Sequence, residues 1–418
     1  MSRTRVVITG LGAVSPVGND VSTLWKNIAS GTSGIDIITS FDYSEYDNHM
    51  AGEVKDFDPV DVVGKKEVRR TDRATQFAVE VGRQALTDSG FEVTDENRYD
   101  IGVIVGSGIG GIQSFVETVM DLHEKGPRSI SPLAIPKILI DSAAGKVSMD
   151  LGLRGPNFCI TTACATGNNA IGEAAEIIRR GQAKVMIAAA TEAAVIPLTV
   201  AGFNNMKALS KRNDDPKGAS RPFDADRDGF VIGEGAGALV LESLDSALER
   251  GAKIYGEVLG YGHTSDAYHP TAPMETGEGA STAMLYALDD AGITAKDIDY
   301  INAHGTGTPL NDSAETNALK RALGEEAYSI PISSTKSMTG HLLGAAGAIE
   351  AIISLMAIQN NFIPPTINLD SPDPSCDLDY TANEGKSHPV DIAMSNAFGF
   401  GGHNAVVVLG RYKENGSA

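Results

Sequence analysis

Cysteine is scarce in this chain of 418 residues, which contains only Cys159, Cys164 and Cys376. Three cysteines without a regular spacing do not make a disulfide framework, and so few are typical of a reducing compartment. We therefore expect a cytoplasmic protein. In such a protein each cysteine is either a buried core residue or a reactive thiol.

Basic charge is also in short supply. The chain has 34 lysines and arginines against 54 aspartates and glutamates, which gives a net charge of −20. Nucleic-acid binding needs a basic surface, so this function is excluded. One short amphipathic stretch is an exception, with basic residues at Lys65, Lys66, Arg69, Arg70 and Arg73. On an acidic protein this stretch is either an ordinary solvated surface or a docking site for an acidic partner.

Long apolar runs are absent as well. None approaches the ~20 residues that cross a bilayer, and the apolar run near the N-terminus is too short for a signal peptide. We expect no membrane insertion. Instead, short β-branched runs alternate with amphipathic helices, which is typical of an α/β fold with helices on both faces of its sheets. The predicted strands span residues 5–9, 101–105, 158–160, 185–189, 236–241, 254–261, 300–303, 331–334 and 405–409. The predicted helices span residues 74–86, 164–180, 280–291 and 341–359.

Each half of the chain contains a strand that leads a chemically reactive residue into a turn rich in glycine and threonine. This repetition indicates an internal duplication, with a soft boundary near residue 250.

In the first half the residue is Cys164, at the start of the helix predicted over 164–180. The positive end of a helix stabilises a thiolate, so we expect the pKa of this thiol to fall. Backbone N–H groups there can also stabilise an oxyanion. A buried, inert cysteine is the alternative.

In the second half the candidates are His304, which follows the strand 300–303, and Lys336 and His341, which precede a helix rich in small residues. Strand-to-helix turns are where doubly wound sheets place their chemistry. A cysteine beside two imidazoles can form a thioester and then receive two hydrogen bonds at a developing enolate oxygen. Structural histidines are the alternative. A zinc site is disfavoured because no two of these ligands form a short chelating pair.

Four segments, residues 162–166, 302–309, 334–347 and 396–404, resemble the signatures of the β-ketoacyl-[acyl-carrier-protein] synthases. They occur in the order found in that family, and the likeness runs from about residue 3 to residue 412. The subtype it resembles most is the elongating synthase II of bacterial fatty-acid synthesis. A polyketide-type ketosynthase with the same chemistry, or a non-catalytic chain-length partner, are the alternatives.

The resemblance implies a thiolase-like fold, with two similar βαβ-rich halves in an αβαβα arrangement. The halves would span residues 1–250 and 251–412, followed by a tail over residues 413–418. It also implies a homodimer that works with acyl carrier protein and needs no cofactor, since the substrates carry phosphopantetheine. His403 stands where many synthase II sequences have threonine.

The roles that the resemblance implies fall into three groups. Cys164 would accept the acyl group, His304 and His341 would hold the malonyl thioester and promote loss of CO₂, and Lys336 would tune the site electrostatically. Supporting acidic residues would be Asp312 and Glu315, with Glu315 orienting Lys336. The substrate-binding residues would be Thr306 and Thr308 for phosphopantetheine, Phe400 as a gate that completes the oxyanion hole, and Ile109 and Phe203 along the acyl tunnel.

Two surfaces or sites beyond the catalytic centre are also implied. Carrier-protein docking would use Lys65, Lys66, Arg69, Arg70 and Lys207. A structural cation, found in some members of the family, would bind near Asn302, Glu350, Ser395 and Asn396.

Overall fold

The computed structural model describes residues 3–414, so residues 415–418 of the predicted tail lie outside the described residues. The strands are β1 Val6–Val14, β2 Asp36–Ile37, β3 Met50–Ala51, β4 Ile101–Gly106, β5 Asn157–Phe158, β6 Val185–Glu192, β7 Gly235–Ser243, β8 Gly256–Ser265, β9 Tyr300–Asn302, β10 Ile332–Ser333, β11 Phe362–Ile363, β12 Lys386–Ser387, β13 Ile392–Gly399 and β14 His403–Gly410. The helices are α1 Val21–Ala29, α2 Pro59–Val63, α3 Lys65–Val68, α4 Arg73–Ser89, α5 Ile112–Lys125, α6 Ala134–Ile138, α7 Ser142–Leu151, α8 Thr166–Arg179, α9 Pro197–Asn205, α10 Leu244–Glu249, α11 Glu278–Ala291, α12 Pro309–Leu323, α13 Lys336–Thr339 and α14 Ala346–Asn360.

Ten strands form one continuous hydrogen-bonded sheet, in the order β10-β9-β13-β14-β8-β1-β7-β6-β4-β5. Read outward from the centre, the order is β1-β7-β6-β4-β5 on one side and β8-β14-β13-β9-β10 on the other. On each side the first three strands pair antiparallel and the last two join in parallel. Within residues 3–414, β1 pairs with β8 at Val7 with Glu257 and at Ile8 with Gly256, and this short ladder joins the two blocks. The same topology therefore occurs twice, which confirms the thiolase-like fold of two similar halves.

Two helices occupy the space between the five-stranded blocks. Helix α8 follows β5, helix α14 follows β10, and each contacts strands of both blocks. The outer face of the first block is covered by α4 and α7, and that of the second by α11 and α12. The layers are therefore αβαβα, as expected. The segment Leu343–Asn360 has the length and hydropathy of a membrane span, but 83% of it is buried inside the protein. It is a core helix of this fold.

Strand β1 runs to Val14, beyond the predicted end at residue 9, and includes Gly10 and Gly12. A Cβ atom at Gly10 would collide with the carbonyl oxygen of Ala85, and one at Gly12 with that of Val81. Both carbonyls belong to α4, which packs directly on the strand. These glycines therefore serve the close approach of a helix to a strand.

Three further differences from the sequence prediction concern the second half. Strand β13 was not predicted, and β14 lies between β13 and β8, so it does not close an edge of the sheet. The helix expected from His341 begins at Ala346, and Lys336 lies in the separate short helix α13. In the first half, α8 likewise begins at Thr166, two residues after Cys164.

Candidate active site

Cys164 lies on a sharp turn between β5 and α8. Ala163 adopts a left-handed conformation with φ 49°, which is strained for a residue with a side chain. The Thr166 hydroxyl accepts a hydrogen bond from the backbone N–H of Thr162 at 2.9 Å and helps to fix the turn. The cysteine is 8% exposed. It lines a cavity of about 520 Å³ that also receives residues from the second half of the chain.

The two predicted histidines line the same cavity. Nε2 of His341 lies 3.1 Å from Sγ of Cys164, and the centroids of the His304 and His341 rings are 5.3 Å apart. The ring of Phe230, which sequence reasoning missed, packs edge-on against His341 at 5.3 Å. Residues 140 and 37 positions apart, from 164 to 304 and from 304 to 341, thus share one pocket.

Both imidazoles are neutral at physiological pH. Burial, together with the positive charge of Lys336, lowers the pKa of His304 and of His341 well below the ordinary 6.5. The neighbouring His341 lowers the pKa of His304 further. A neutral imidazole offers one N–H donor and one acceptor nitrogen. Each ring can therefore donate to a substrate oxygen or accept a proton from the thiol.

The expected fall in the thiol pKa of Cys164 was wrong. Burial raises the pKa of this thiol to about 12, and this effect exceeds the opposing effects of the Lys336 charge and of a hydrogen bond from the backbone N–H of Phe400. Removing an ionisable group from water disfavours its charged form. The resting sulfur is consequently a neutral thiol, and His341 Nε2 is the acceptor within its reach.

Lys336 forms a buried ion pair with Glu350, so the expectation that Glu315 orients the lysine was wrong. Side chains of Lys336 and Glu350 are 1% and 3% exposed, and the pair joins α13 to α14. Glu315 instead accepts hydrogen bonds from the backbone N–H groups of His304 at 2.8 Å and Gly305 at 2.7 Å. Its carboxylate therefore holds the turn that carries the first histidine.

Asp312, one helical turn before Glu315 on α12, holds the next part of that turn. It accepts hydrogen bonds from the backbone N–H groups of Thr306 at 3.1 Å and Gly307 at 3.2 Å. Thr306 and Thr308 line the cavity, with their hydroxyl oxygens 3.0 Å apart. The acidic residues predicted to support the site thus act on backbone N–H groups.

The remaining predicted substrate-binding residues, Ile109, Phe203 and Phe400, also line the cavity. Phe400 lies in the hairpin between β13 and β14, and its ring centroid is 6.4 Å from that of Phe203. The hairpin brings the Phe400 backbone N–H to the sulfur of Cys164. The structure places Cys164, His304, His341 and every predicted substrate-binding residue around one cavity, which Lys336 does not line. The roles of these residues remain predictions.

Comparison with known proteins agrees with this geometry. Family models described as "Beta-ketoacyl synthase, N-terminal domain" and "Beta-ketoacyl synthase, C-terminal domain" match residues 3–247 and 255–370. The chain belongs to the β-ketoacyl synthase family.

Individual relatives cover nearly the whole chain. The 3-oxoacyl-[acyl-carrier-protein] synthase 2 of Synechocystis sp. is 51% identical over 413 residues, which are 99% of this chain and 99% of the relative. That of Staphylococcus aureus is 53% identical over 409 residues, or 98% of this chain and 99% of the relative. A β-ketoacyl synthase from Burkholderia phymatum superposes with a TM-score of 0.91 at 36% identity and covers 98% of this chain and 100% of its own.

A further solved structure contains a carrier protein. It is described as a type II PKS acyl-carrier protein in complex with its ketosynthase bound to the hexaketide. Its matching chain has a TM-score of 0.91 and 36% identity, and the match covers 99% of this chain and 100% of that one.

In this member of the family, the basic residues predicted for docking do not all lie in one group. Lys65, Lys66, Arg69 and Arg70 form an exposed stretch on and beside α3. Lys207 is also exposed, but it lines the cavity. Arg73 is not available with them, because its guanidinium binds the buried Glu234 at 2.7 Å.

Three of the four residues predicted for a cation fit such a role. The side-chain oxygens Asn302 Oδ1, Glu350 Oε2 and Ser395 Oγ are buried and have no hydrogen-bond partner. Asn302 and Ser395 pair in register on β9 and β13, so their side chains share one face of the sheet. Asn396 points its amide to the other face, where it donates to Glu315 at 3.3 Å. Asn396 Oδ1 is also buried without a hydrogen-bond partner, but it does not share a face of the sheet with Asn302 and Ser395.

The ion pair generates the first prediction. Lys336→Met and Glu350→Gln should each lower the free energy of unfolding by about 3–5 kcal/mol, because each leaves one buried charge unpaired. The double variant should recover most of this loss. Urea denaturation measures all three. The surface pair of Lys184 and Asp100, 3.0 Å apart, is the control, and its loss should cost at most about 1 kcal/mol. Additive losses in the double variant would contradict the pairing.

Proposed function

We propose that this chain is a 3-oxoacyl-[acyl-carrier-protein] synthase of type 2, which accepts an acyl group on Cys164 and extends it with malonyl-[acyl-carrier-protein]. The observation that carries the proposal is the single cavity that holds Cys164, His304 and His341, with the His341 Nε2 atom 3.1 Å from the sulfur. The relatives from Synechocystis sp. and S. aureus, with 51% and 53% identity over nearly the full length, support this reaction.

The first half-reaction is an acyl transfer. The neutral thiol of Cys164 attacks the acyl thioester carbonyl while its proton moves to His341 Nε2, so that an S–H bond breaks as a C–S bond forms. The backbone N–H groups of Cys164 and Phe400 stabilise the oxyanion. The intermediate then expels the carrier's thiol, which takes the proton from the imidazolium and returns His341 to its neutral form.

The second half-reaction is a decarboxylative condensation. The N–H group of the neutral His304 donates to the malonyl thioester oxygen, as does His341 in the tautomer that carries its hydrogen on Nε2. The C–C bond to the carboxylate then breaks with release of CO₂. The electron pair forms an enolate, whose carbon attacks the acyl group on Cys164. The sulfur leaves as a thiolate and takes up a proton. The positive charge of Lys336 favours the anionic enolate, and the Thr306 and Thr308 hydroxyls suit the polar phosphopantetheine arm.

A polyketide-type ketosynthase is the second candidate, because a solved polyketide ketosynthase complex matches at 36% identity. The higher identity of the two synthase 2 relatives favours fatty-acid elongation. Fatty-acid elongation uses fully reduced acyl primers, whereas polyketide extension uses primers that retain 3-oxo groups. Faster condensation of 3-oxoacyl primers than of saturated ones would favour the polyketide candidate.

Acyl carrier protein and a second copy of this chain are the proposed partners, in the cytoplasm. Strand β5 lies at the edge of the sheet, and large exposed apolar side chains lie nearby in sequence on and between α5 and α7. These are Phe115, Val119, Met120, Leu122, Ile135, Leu139, Ile140 and Met149, and Phe158 on β5 itself is also exposed. A homodimer would cover such a surface. A monomer in sedimentation equilibrium at micromolar concentration would contradict it.

A monovalent or other hard cation is proposed for the oxygens of Asn302, Glu350 and Ser395, where it would satisfy buried acceptors and contribute to stability. The condensation itself needs only the two thioesters, so no cofactor is proposed for it. A thermal unfolding midpoint that is unchanged when potassium replaces tetramethylammonium would speak against the cation.

The acylation step generates the second prediction. The wild-type protein, incubated with an acyl-[acyl-carrier-protein], should gain the mass of one acyl group on the peptide that contains Cys164. Cys164→Ala should gain none, and Cys159→Ala, the control, should label like the wild type. Intact-protein and peptide mass spectrometry measures the labelling. Acyl uptake by the Cys164→Ala protein would refute the assigned nucleophile.

The docking surface generates the third prediction. Lys66→Glu should lower kcat/KM for an acyl-[acyl-carrier-protein] roughly tenfold, because it places like charges together at the interface. The kcat/KM for a small acyl thioester without the carrier should not change. Lys296→Glu, an exposed charge reversal in the second half of the chain, is the control. Equal effects of the two variants on the carrier-bound substrate would exclude this stretch as the docking surface.

A further inference from the structure

One buried carboxylate beside the active site has no part in the reaction as described. Glu192, the last residue of β6, is fully buried. It accepts hydrogen bonds from the Ser107 hydroxyl at 2.9 Å and from the backbone N–H groups of Gly108 at 2.8 Å, Ile109 at 3.2 Å and Gly344 at 3.0 Å. All four partners are donors, and a protonated carboxyl would need an acceptor for its own hydrogen. Burial raises the pKa of this carboxyl, and the four donors oppose that rise because they favour the ionised carboxylate.

These donors belong to two separate turns that form walls of the cavity. The first turn follows β4 and carries Ile109, and the second follows His341 and carries Leu343. Ile109 and Leu343 line the cavity and pack in one apolar cluster with Cys164. Glu192 is the side chain that hydrogen-bonds to both turns.

The glycines in these turns are needed for the approach of the carboxylate. A Cβ atom at Gly108 would lie 2.7 Å from Glu192 Oε2, and one at Gly344 would lie 2.8 Å from it. Both distances are shorter than a van der Waals contact. Any other residue would push the N–H groups away from the carboxylate. At Gly344 a side chain would also collide with the backbone nitrogen of Gly108, so the glycine serves the contact between the two turns as well.

We propose that Glu192 is a positioning residue that fixes the spacing of the Ile109 and Leu343 walls of the acyl cavity and thereby sets the acyl chains that Cys164 accepts. The inference rests on the proposed function, because it concerns the acyl group delivered to that cysteine. Glu192 does not touch the cavity itself, and it acts through the two turns.

The charge of Glu192 gives an independent signature of its position. A negative charge near a thiol disfavours the thiolate, and Glu192 is one of the groups that raise the pKa of Cys164. Removal of the charge should therefore lower the thiol pKa. A shorter side chain that keeps its charge should leave this pKa nearly unchanged. A purely structural role far from the site would not lower the thiol pKa when the charge is removed.

The experiment compares Glu192→Gln, Glu192→Asp and Ser107→Ala with the wild type. In Glu192→Gln the amide NH₂ faces N–H donors, and in Glu192→Asp the side chain is too short to reach both turns. Both variants should accept branched and longer acyl groups better, relative to a short straight chain, by roughly threefold or more, since a shifted wall matters on the scale of a methylene group. Ser107→Ala keeps the carboxylate and should change this ratio in the same direction but less.

The second readout is the alkylation rate of Cys164 by iodoacetamide as a function of pH. Below the thiol pKa, alkylation should be roughly tenfold faster in Glu192→Gln than in the wild type, which corresponds to a shift of about one pKa unit. Glu192→Asp and Ser107→Ala should alkylate at nearly the wild-type rate. Peptide mass spectrometry separates Cys164 from the other two cysteines.

Glu242→Gln is the matched control, because Glu242 is also fully buried but binds Arg250 and Ser246 away from the cavity. It should change neither readout. Unchanged acyl selectivity in all three test variants, or the same changes in Glu242→Gln, would overturn the proposal. If Glu192→Gln does not fold, the acyl selectivity of Glu192→Asp and Ser107→Ala alone tests the proposal. A wild-type protein that takes up no acyl group would instead refute the proposed function. The alkylation rate of Cys164 would then still test whether Glu192 affects this thiol.

Discussion

The active site depends on the buried ion pair between Lys336 and Glu350. Two charges in the middle layer of the fold are tolerated only because each pairs with the other. The lysine charge helps to keep His304 and His341 neutral, and it opposes, without overcoming, the effect of burial on the Cys164 thiol. The pair also fixes α13 against α14, between which His341 lies. The Lys336–Glu350 pair therefore affects both the protonation of the site residues and the position of the segment that carries His341.

The duplicated topology explains why distant residues meet. Strands β4, β5 and β6 of the first half correspond to β9, β10 and β13 of the second. The segments after β5 and β10 carry Cys164 and His341, which precede the equivalent helices α8 and α14. The segment after β9 carries His304, and its counterpart after β4 carries Ile109. The carboxyl ends of the matched strands thus face one another, and the cavity forms where the two halves meet.

The ends of the third pair of strands complete this pattern. Strand β6 ends at Glu192, and β13 ends one residue before Phe400. One of these residues holds two walls of the cavity, and the other brings a backbone N–H to the sulfur. In each matched pair, one strand end from the first half of the chain and one from the second therefore carry a residue at the site. The two residues differ in type and in role.

Local patterns in the sequence indicated three candidate residues near strand ends, and the family resemblance implied that they share one site. Cys164, His304 and His341 each follow a short apolar strand, and the ends of such strands converge in an α/β fold. Burial was not visible locally, and for this reason the predicted fall of the Cys164 pKa was wrong. A helix start favours the thiolate, but the complete enclosure of the sulfur by residues from both halves has the larger effect.

Local patterns also did not predict which acidic residue pairs with Lys336. Lys336 and Glu350 lie in two separate helices, and Glu315 accepts hydrogen bonds from the backbone N–H groups of His304 and Gly305. Strand β13 was missed because Ser395 and Asn396 interrupt its apolar run. In the folded chain these polar residues lie on opposite faces, Ser395 on the same face as Asn302 and Asn396 toward Glu315. Strand β13 thus places polar side chains on both faces of the sheet, and the pattern of apolar residues along the sequence does not show this.

The central claim is that the two imidazoles beside the thiol are neutral in the resting protein. Nitrogen chemical shifts of ¹⁵N-histidine-labelled protein, recorded between pH 5.5 and 8 and assigned with His304→Ala and His341→Ala, test it directly. The account predicts that both rings keep the shifts of neutral imidazole over this whole range. Titration of either ring with a midpoint near the ordinary value of about 6.5 would contradict it.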